Sequence, residues 1–123
     1  MTPSPEYWAG YLDGEGCFRL ISRGSPRIEV SSCHKRTLEL LRDTFGGAVA
    51  SAKPRPGKPH HHKPVWRWQI GGVWALDVMN AILEHSIEKR EQIEVILDFC
   101  LKDGGDLDQT MKKLSDLKRE HSV

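Results

Sequence analysis

Residues 7–18 read YWAGYLDGEGCF. Glycines at 10, 14 and 16 stand among large aromatic side chains, in a stretch that otherwise looks helical. Gly10 and Gly14 are four apart, so they fall on one helix face, one turn apart. A glycine there bares the backbone and lets another surface approach closely. Two packings are open: a second helix, or the chain's own core. The stretch is too polar and too short for a membrane-spanning glycine motif. Pro3 and Pro5 precede it, which places a helix at about 5–14, with Gly16 as its exit.

Beyond Cys17 the periodicity changes to two. In CFRLISR, Phe18 and Leu20 alternate with Arg19, Ile21 and Arg23. GSP at 24–26 reads as a turn, and RIEVSS at 27–32 alternates again, Ile28 and Val30 inward against Arg27, Glu29 and Ser31 outward. The pair predicts a β-hairpin. KRTLELLRDTF at 35–45 has Leu38, Leu41 and Phe45 at helical spacing and ends at Gly46-Gly47. A short strand follows at 48–53. Prolines 54, 56, 59 and 64 then forbid a regular central strand, so 53–64 reads as a stiff basic hairpin tip. VWRWQI at 65–70 returns with Trp66, Trp68 and Ile70 on one face and Arg67 and Gln69 on the other. Alternating aromatics on a half-buried sheet read as core before they read as base-stacking platforms. Helices are expected at about 73–84, 88–102 and 107–120.

This order predicts an α+β fold, α-β-β-α-β-β-α, in one domain over residues 1–123, with a core at about 5–103 and a C-terminal helix at about 107–120. Four antiparallel strands are covered by helices on one face. The other face carries Arg19, Arg23, Arg27, Arg67 and Gln69, a surface suited to a DNA duplex, since β-ribbons read base edges with Arg and Gln. Charge supports this. The net charge is only +1, yet residues 19–67 hold 11 Lys and Arg against 3 Asp and Glu. Cys17, Cys33 and Cys100 are an odd number at unrelated spacings, which points to a reducing intracellular compartment rather than a disulfide framework. Neither a secretory signal nor a membrane-spanning run is expected. His60, His61 and His62 have no Cys or acid beside them and read as a solvated, phosphate-contacting loop.

WAGYLDGEG, residues 8–16, resembles the signature nonapeptide of the LAGLIDADG homing endonucleases. FGG at 45–47, VWRWQIGG at 65–72 and IEKREQIEVILDFC at 87–100 extend the resemblance over about 7–100. With one copy of the motif, the resemblance implies a homodimer in which two such helices pack side by side through Ala9, Gly10, Asp13 and Gly14. The DNA site is then palindromic or nearly so. Glu15 stands at the C-terminal end of the helix, where the dipole disfavours a carboxylate. A hard divalent cation, Mg²⁺, would compensate, held by Glu15 and Gly14 with phosphate oxygens and water. Ca²⁺ is expected to support binding without cleavage. Asp13, about 200° around the helix from Glu15, reads as structural, either capping or dimer-bonding. Lys89 matches the family's basic residue near the reacting phosphate, with Arg90 the weaker candidate. Ser32 falls where many members carry Gln or Asn to place a water, and it reaches less far.

The resemblance implies a Mg²⁺-dependent, sequence-specific double-strand DNA endonuclease. Glu15, Lys89 and Ser32 form its site. Arg19, Arg23, Arg27, Glu29, Ser31, Arg67 and Gln69 read DNA, and Lys53, Arg55, Lys58 and Lys63 hold the flanking backbone. Cleavage across the minor groove with 3′ overhangs, in the service of intron or free-standing gene mobility, would follow. Three rivals share the residues: a cleavage-deficient DNA-binding regulator, an RNA intron maturase, and a protein-interaction scaffold.

Overall fold

The computed structural model describes residues 3–52, 64–101 and 105–120. Helix α1 spans Pro5–Glu15. Ser4 caps it, its hydroxyl accepting from the Tyr7 N–H at 3.2 Å, and Pro5 sits where a missing N–H costs nothing. Trp8, Ala9, Leu12 and Asp13 form its buried side. Gly10 and Gly14 lie on the opposite, exposed side, where among the described residues a Cβ would meet nothing within 4 Å beyond its own stretch of helix.

Strands β1 (Cys17–Ile21), β2 (Ser25–Ser32), β3 (Ala48–Ala52) and β4 (Val65–Gly71) make one antiparallel sheet in the order β1-β2-β4-β3. Helix α2 (Lys35–Phe45) connects β2 to β3; α3 (Val73–Ile82), α4 (Arg90–Leu101) and α5 (Leu107–Glu120) follow β4. The sheet's inner face offers Phe18, Leu20, Ile28, Val30, Trp68 and Ile70, all buried against Trp8, Leu12, Leu38, Leu41, Met79, Ile93 and their neighbours. This single core matches the α+β arrangement the periodicities predict. Helix α5 packs on α4 and buries Leu114 and Leu117. Its Lys118 Nζ lies 3.9 Å from Cys17 Sγ, at the start of β1.

Element boundaries shift from the sequence expectations at places set by tertiary partners. The hairpin turn is a 3₁₀ turn at Ser22–Gly24, not 24–26, and β2 begins at Ser25. Arg23 therefore sits in that turn, with φ 61°, and is not a strand residue of the outer face. Helix α3 ends at Ile82 and passes into a 3₁₀ turn at Leu83–His85. The fourth helix starts at Arg90 rather than 88. The proline-rich basic stretch, with Lys53, Arg55, Lys58, Lys63 and the three histidines, lies outside the described residues. Trp68 is core: fully buried, its indole N–H donates to the Gly46 carbonyl at 2.9 Å. Trp66 is half-buried under the ammonium of Lys35, 4.2 Å from its ring centroid.

Gly46 and Gly47 both have positive φ, 92° and 89°. Only at Gly47 would a Cβ also collide, 2.6 Å from the Gln69 carbonyl and 2.9 Å from the Trp68 indole nitrogen. Both Gly→Ala changes strain the backbone, so both should destabilise, and Gly47→Ala should cost at least ~1 kcal/mol more. Urea unfolding of the two variants checks the order; equal losses would mean that the β3–β4 approach is not tight at residue 47.

Candidate functional site

The site is built around the last turn of α1. Asp13 points inward from that turn and its carboxylate gathers the segment that precedes α4. Ser86 Oγ donates to Oδ1 at 2.5 Å and the Lys89 N–H to the same oxygen at 3.2 Å. The N–H groups of Ile87 and Glu88 donate to Oδ2 at 2.7 and 3.3 Å. Three successive backbone N–H groups thus form a nest around one carboxylate. Residues 86–89 wrap the carboxylate instead of extending the helix, which is why α4 starts late. The Lys89 carbonyl then accepts the first bond of α4, from Ile93 N–H at 2.9 Å. Burial pushes the Asp13 carboxyl up, but the bonds from Ser86, Ile87, Lys89 and Glu88 outweigh it and hold the group below its usual range.

Asp13 therefore does structural work inside its own chain. Ala9 is likewise fully buried in the monomer. Of the four residues expected to meet a partner helix, these two face inward, and only Gly10 and Gly14 are exposed. Glu15, one residue beyond Gly14, is exposed at the helix end.

Ser32 closes β2 near the same turn. Its hydroxyl accepts from the His34 N–H at 3.0 Å. Tyr11 lies one turn before Glu15 and is half-buried. Burial pushes its hydroxyl above the usual range, the Glu15 charge adds to the rise, and a hydrogen bond with the Ser32 side chain opposes it. The segment bearing Lys89 is thus tied to the last turn of α1 through Asp13, and Glu15 stands exposed on that same turn. Tyr11 was not legible as a site residue from its type. Its spacing of four from Glu15 was the available signal.

The oxygen donors here are the exposed Glu15 carboxylate and the carbonyls at the C-terminal end of α1, which lack partners within the helix. That set suits a hard cation such as Mg²⁺ or Ca²⁺. Among the described residues no cluster of three or more His, Cys, Asp or Glu could hold a metal. One chain supplies one carboxylate, and the rest of a coordination shell has to come from phosphate, water or a second copy.

The outer face of the sheet begins beside this turn. Arg19 on β1 stands opposite Arg27 on β2, Glu29 opposite Gln69 on β4, and Ser31 opposite Arg67. Glu29 lies between the two arginines of the hairpin, 3.3 Å from Arg19 Nη1 and 3.6 Å from Arg27 Nη1. Along β3 the residues registered with Gln69, Arg67 and Val65 are Ala48, Ala50 and Ala52. Among the described residues no helix is long and apolar enough to cross a membrane.

Solved structures share this arrangement. The homing endonuclease I-CvuI, in complex with the I-CreI target, matches with TM-score 0.65 at 16% identity, over 92% of this chain and 80% of that one. The archaeal intron-encoded homing endonuclease I-Vdi141I, complexed with DNA, matches with TM-score 0.62 at 18% identity, over 94% and 80%. The LAGLIDADG meganuclease I-CpaMI, bound to uncleaved DNA, matches with TM-score 0.61 at 17% identity, over 94% of this chain and 43% of that one. No protein-family model matches the chain, and no curated protein matches its sequence. The class is defined by its architecture: this chain has the fold of the LAGLIDADG homing endonucleases.

Because Asp13 is held below the usual carboxylate range, its contribution to stability is present above the unfolded carboxyl pKa. It is lost as pH falls through the lowered folded value. Asp13→Asn should lower the unfolding free energy by about 2 kcal/mol at pH 7. The gap to wild type should narrow in acid, as pH falls below the ordinary aspartate range. Denaturant titrations at neutral and acid pH check this; a gap unchanged in acid would mean the charge is not what holds residues 86–89.

Proposed function

We propose that this chain is a site-specific double-strand DNA endonuclease that acts as a homodimer on a palindromic or near-palindromic site, with Mg²⁺ as cofactor. The observation that supports the reading is that Asp13 ties the segment bearing Lys89 to the turn of α1 that carries Glu15, beside a sheet face bearing Arg19, Arg27, Arg67 and Gln69. Relatives in fold are described as homing endonucleases bound to DNA, some in Mg²⁺ or Ca²⁺. The chain spans under half of I-CpaMI and I-SmaMI.

In this reading Glu15, with backbone carbonyl oxygens near Gly14, holds the cation at the scissile phosphate. The cation supplies charge for the phosphoryl oxygens and for the leaving 3′ oxygen. Lys89, fixed by its own backbone bond to Asp13, places its ammonium where negative charge builds. Ser32 Oγ offers a hydrogen-bond site for the attacking water. Arg23 and the lysines and arginine of 53–63 add phosphate contacts, and Ser31 sits within the base-reading face. Gly10 and Gly14 pack against the same residues of the second copy.

One observation favours a second reading. The Ser32 hydroxyl already accepts from the His34 N–H, which leaves less of it for a water. On that ground a DNA-binding regulator without cleavage is the alternative. Selection of bound duplexes from a randomised library in Ca²⁺, followed by Mg²⁺, separates the two. Cutting of both strands supports the nuclease; a bound, intact palindrome supports the regulator; preference for a folded intron RNA moves the function to a maturase.

Glu15→Gln should retain DNA binding and lose cleavage by on the order of 100-fold or more. A cleavage rate near wild type in single-turnover assays removes Glu15 from the metal site. Gly10→Leu should yield a monomer by light scattering. Among the described residues a Cβ at position 10 meets no neighbour within 4 Å, and leucine raises helix propensity by up to ~1 kcal/mol. A folded monomer is thus the expected product, and a stable dimer would place the interface elsewhere.

A further inference from the structure

Within the outer sheet face, the two hairpin strands differ from the third. Arg19 and Arg27 face each other directly across β1 and β2, a like-charge pair that would splay apart unaided. Glu29 prevents this. It is tucked beneath them, its side chain 15% exposed against 47% for Arg19 and 36% for Arg27. Both arginines reach it through Nη1: Arg19 Nη1 donates to Oε2 at 3.3 Å and Oε1 at 3.5 Å, Arg27 Nη1 lies 3.6 Å from Oε1, and neither Nε makes a hydrogen bond among the described residues. The Nε–Nη2 edge of each guanidinium remains for a ligand, the fork that binds guanine O6 and N7 in a bidentate pair.

A carboxylate at this place is a poor choice for holding phosphate. It halves the charge of the pair and repels the DNA backbone. It is a good choice for fixing geometry, since phosphate contacts carry little sequence information and base contacts carry most of it. Arg67 provides the contrast. It lies between Ser31 and Ala50, with no carboxylate partner among the described residues. On β3 the outward side chains Ala48, Ala50 and Ala52 bring no hydrogen-bond donor at all.

We infer that Glu29 is a positioning residue that locks Arg19 and Arg27 into a pair of guanine readers, so that the β1–β2 hairpin carries the strongest base discrimination in each half-site. The inference rests on the DNA-binding reading above. Opposed strands stand about 4.8 Å apart, and base pairs rise about 3.4 Å. The two guanines therefore lie within about two base-pair steps of each other. Facing β3, only methyl contacts are available, so discrimination there is weak.

The test is duplex selection in Ca²⁺ with the full chain, comparing wild type, E29Q and R19K. Wild type should enrich half-sites with two guanines within about two steps, each substitution lowering affinity by on the order of 10-fold or more. E29Q should keep its thermal midpoint and the preference at other positions, and lose about 10-fold of discrimination at both guanines. R19K keeps the charge but not the fork, and should lose one guanine and keep the other.

Unchanged preferences in E29Q overturn the inference. So does a uniform loss of affinity at every position, which would make the arginines phosphate contacts. So does loss of a single cytosine preference with both guanines intact, which would make Glu29 itself a reader. In each of these outcomes the wild type still selects a site and the DNA reading stands. A wild-type chain that enriches no duplex overturns that reading, and this inference with it.

Discussion

The Asp13 carboxylate holds the functional end of the molecule together. Burying a charge costs several kcal/mol unless hydrogen bonds replace its water. Here a hydroxyl and three consecutive N–H groups do so, all from residues 86–89. The bonds join the helix bearing Glu15 to the segment bearing Lys89, across more than 70 positions of sequence. They also leave the two residues after Asp13 pointing away from the core. The neighbouring positions on α1 thus divide by direction: Asp13 inward for architecture, Gly14 and Glu15 outward and exposed.

That division explains what the sequence disclosed and what it did not. The strands and helices were legible because their signals are local and periodic: Phe18 and Leu20, Ile28 and Val30, Leu38 and Leu41 each reveal a buried face without knowledge of its partner. Glu15, Lys89 and Ser32 were legible as candidates only through resemblance to a motif, since nothing in their own spacing brings them together. The start of α4 was misplaced by two residues because the competing interaction, Asp13, is remote in sequence. Arg23 continued the strand's alternation on paper, yet it takes a left-handed conformation in the hairpin turn.

The outward side of α1 poses an energetic question of its own. Glycine inside a helix is destabilising by about 1 kcal/mol relative to alanine. At Gly10 and Gly14 the chain offers no steric reason for glycine, since a Cβ at either would meet nothing within 4 Å. Gly47, by contrast, is demanded by the neighbouring strand. A cost with no return inside the monomer is expected where a second surface must come close to the backbone. The proposed two-fold pairing of α1 helices supplies such a surface. It would also bring two Glu15 carboxylates to one axis, which a lone chain cannot do.

The charge distribution fits the same economy of placement. A protein of net charge +1 gains little long-range attraction to DNA from its total charge, so its affinity has to come from local concentration of cations. The sheet concentrates arginine on β1, β2 and β4, and then sets an acid, Glu29, among them. For a surface that merely adheres to phosphate, that acid would be a defect. For a surface that must hold guanidinium forks at a defined spacing, it is the part that limits their freedom. Arginine has about 2 kcal/mol of rotamer entropy to lose on binding, and a carboxylate that orders it beforehand removes part of that loss at the moment of recognition. In the proposed role the placement of Glu29 would trade attraction for discrimination, the exchange a protein makes when few DNA sites are its targets and all DNA is its competitor.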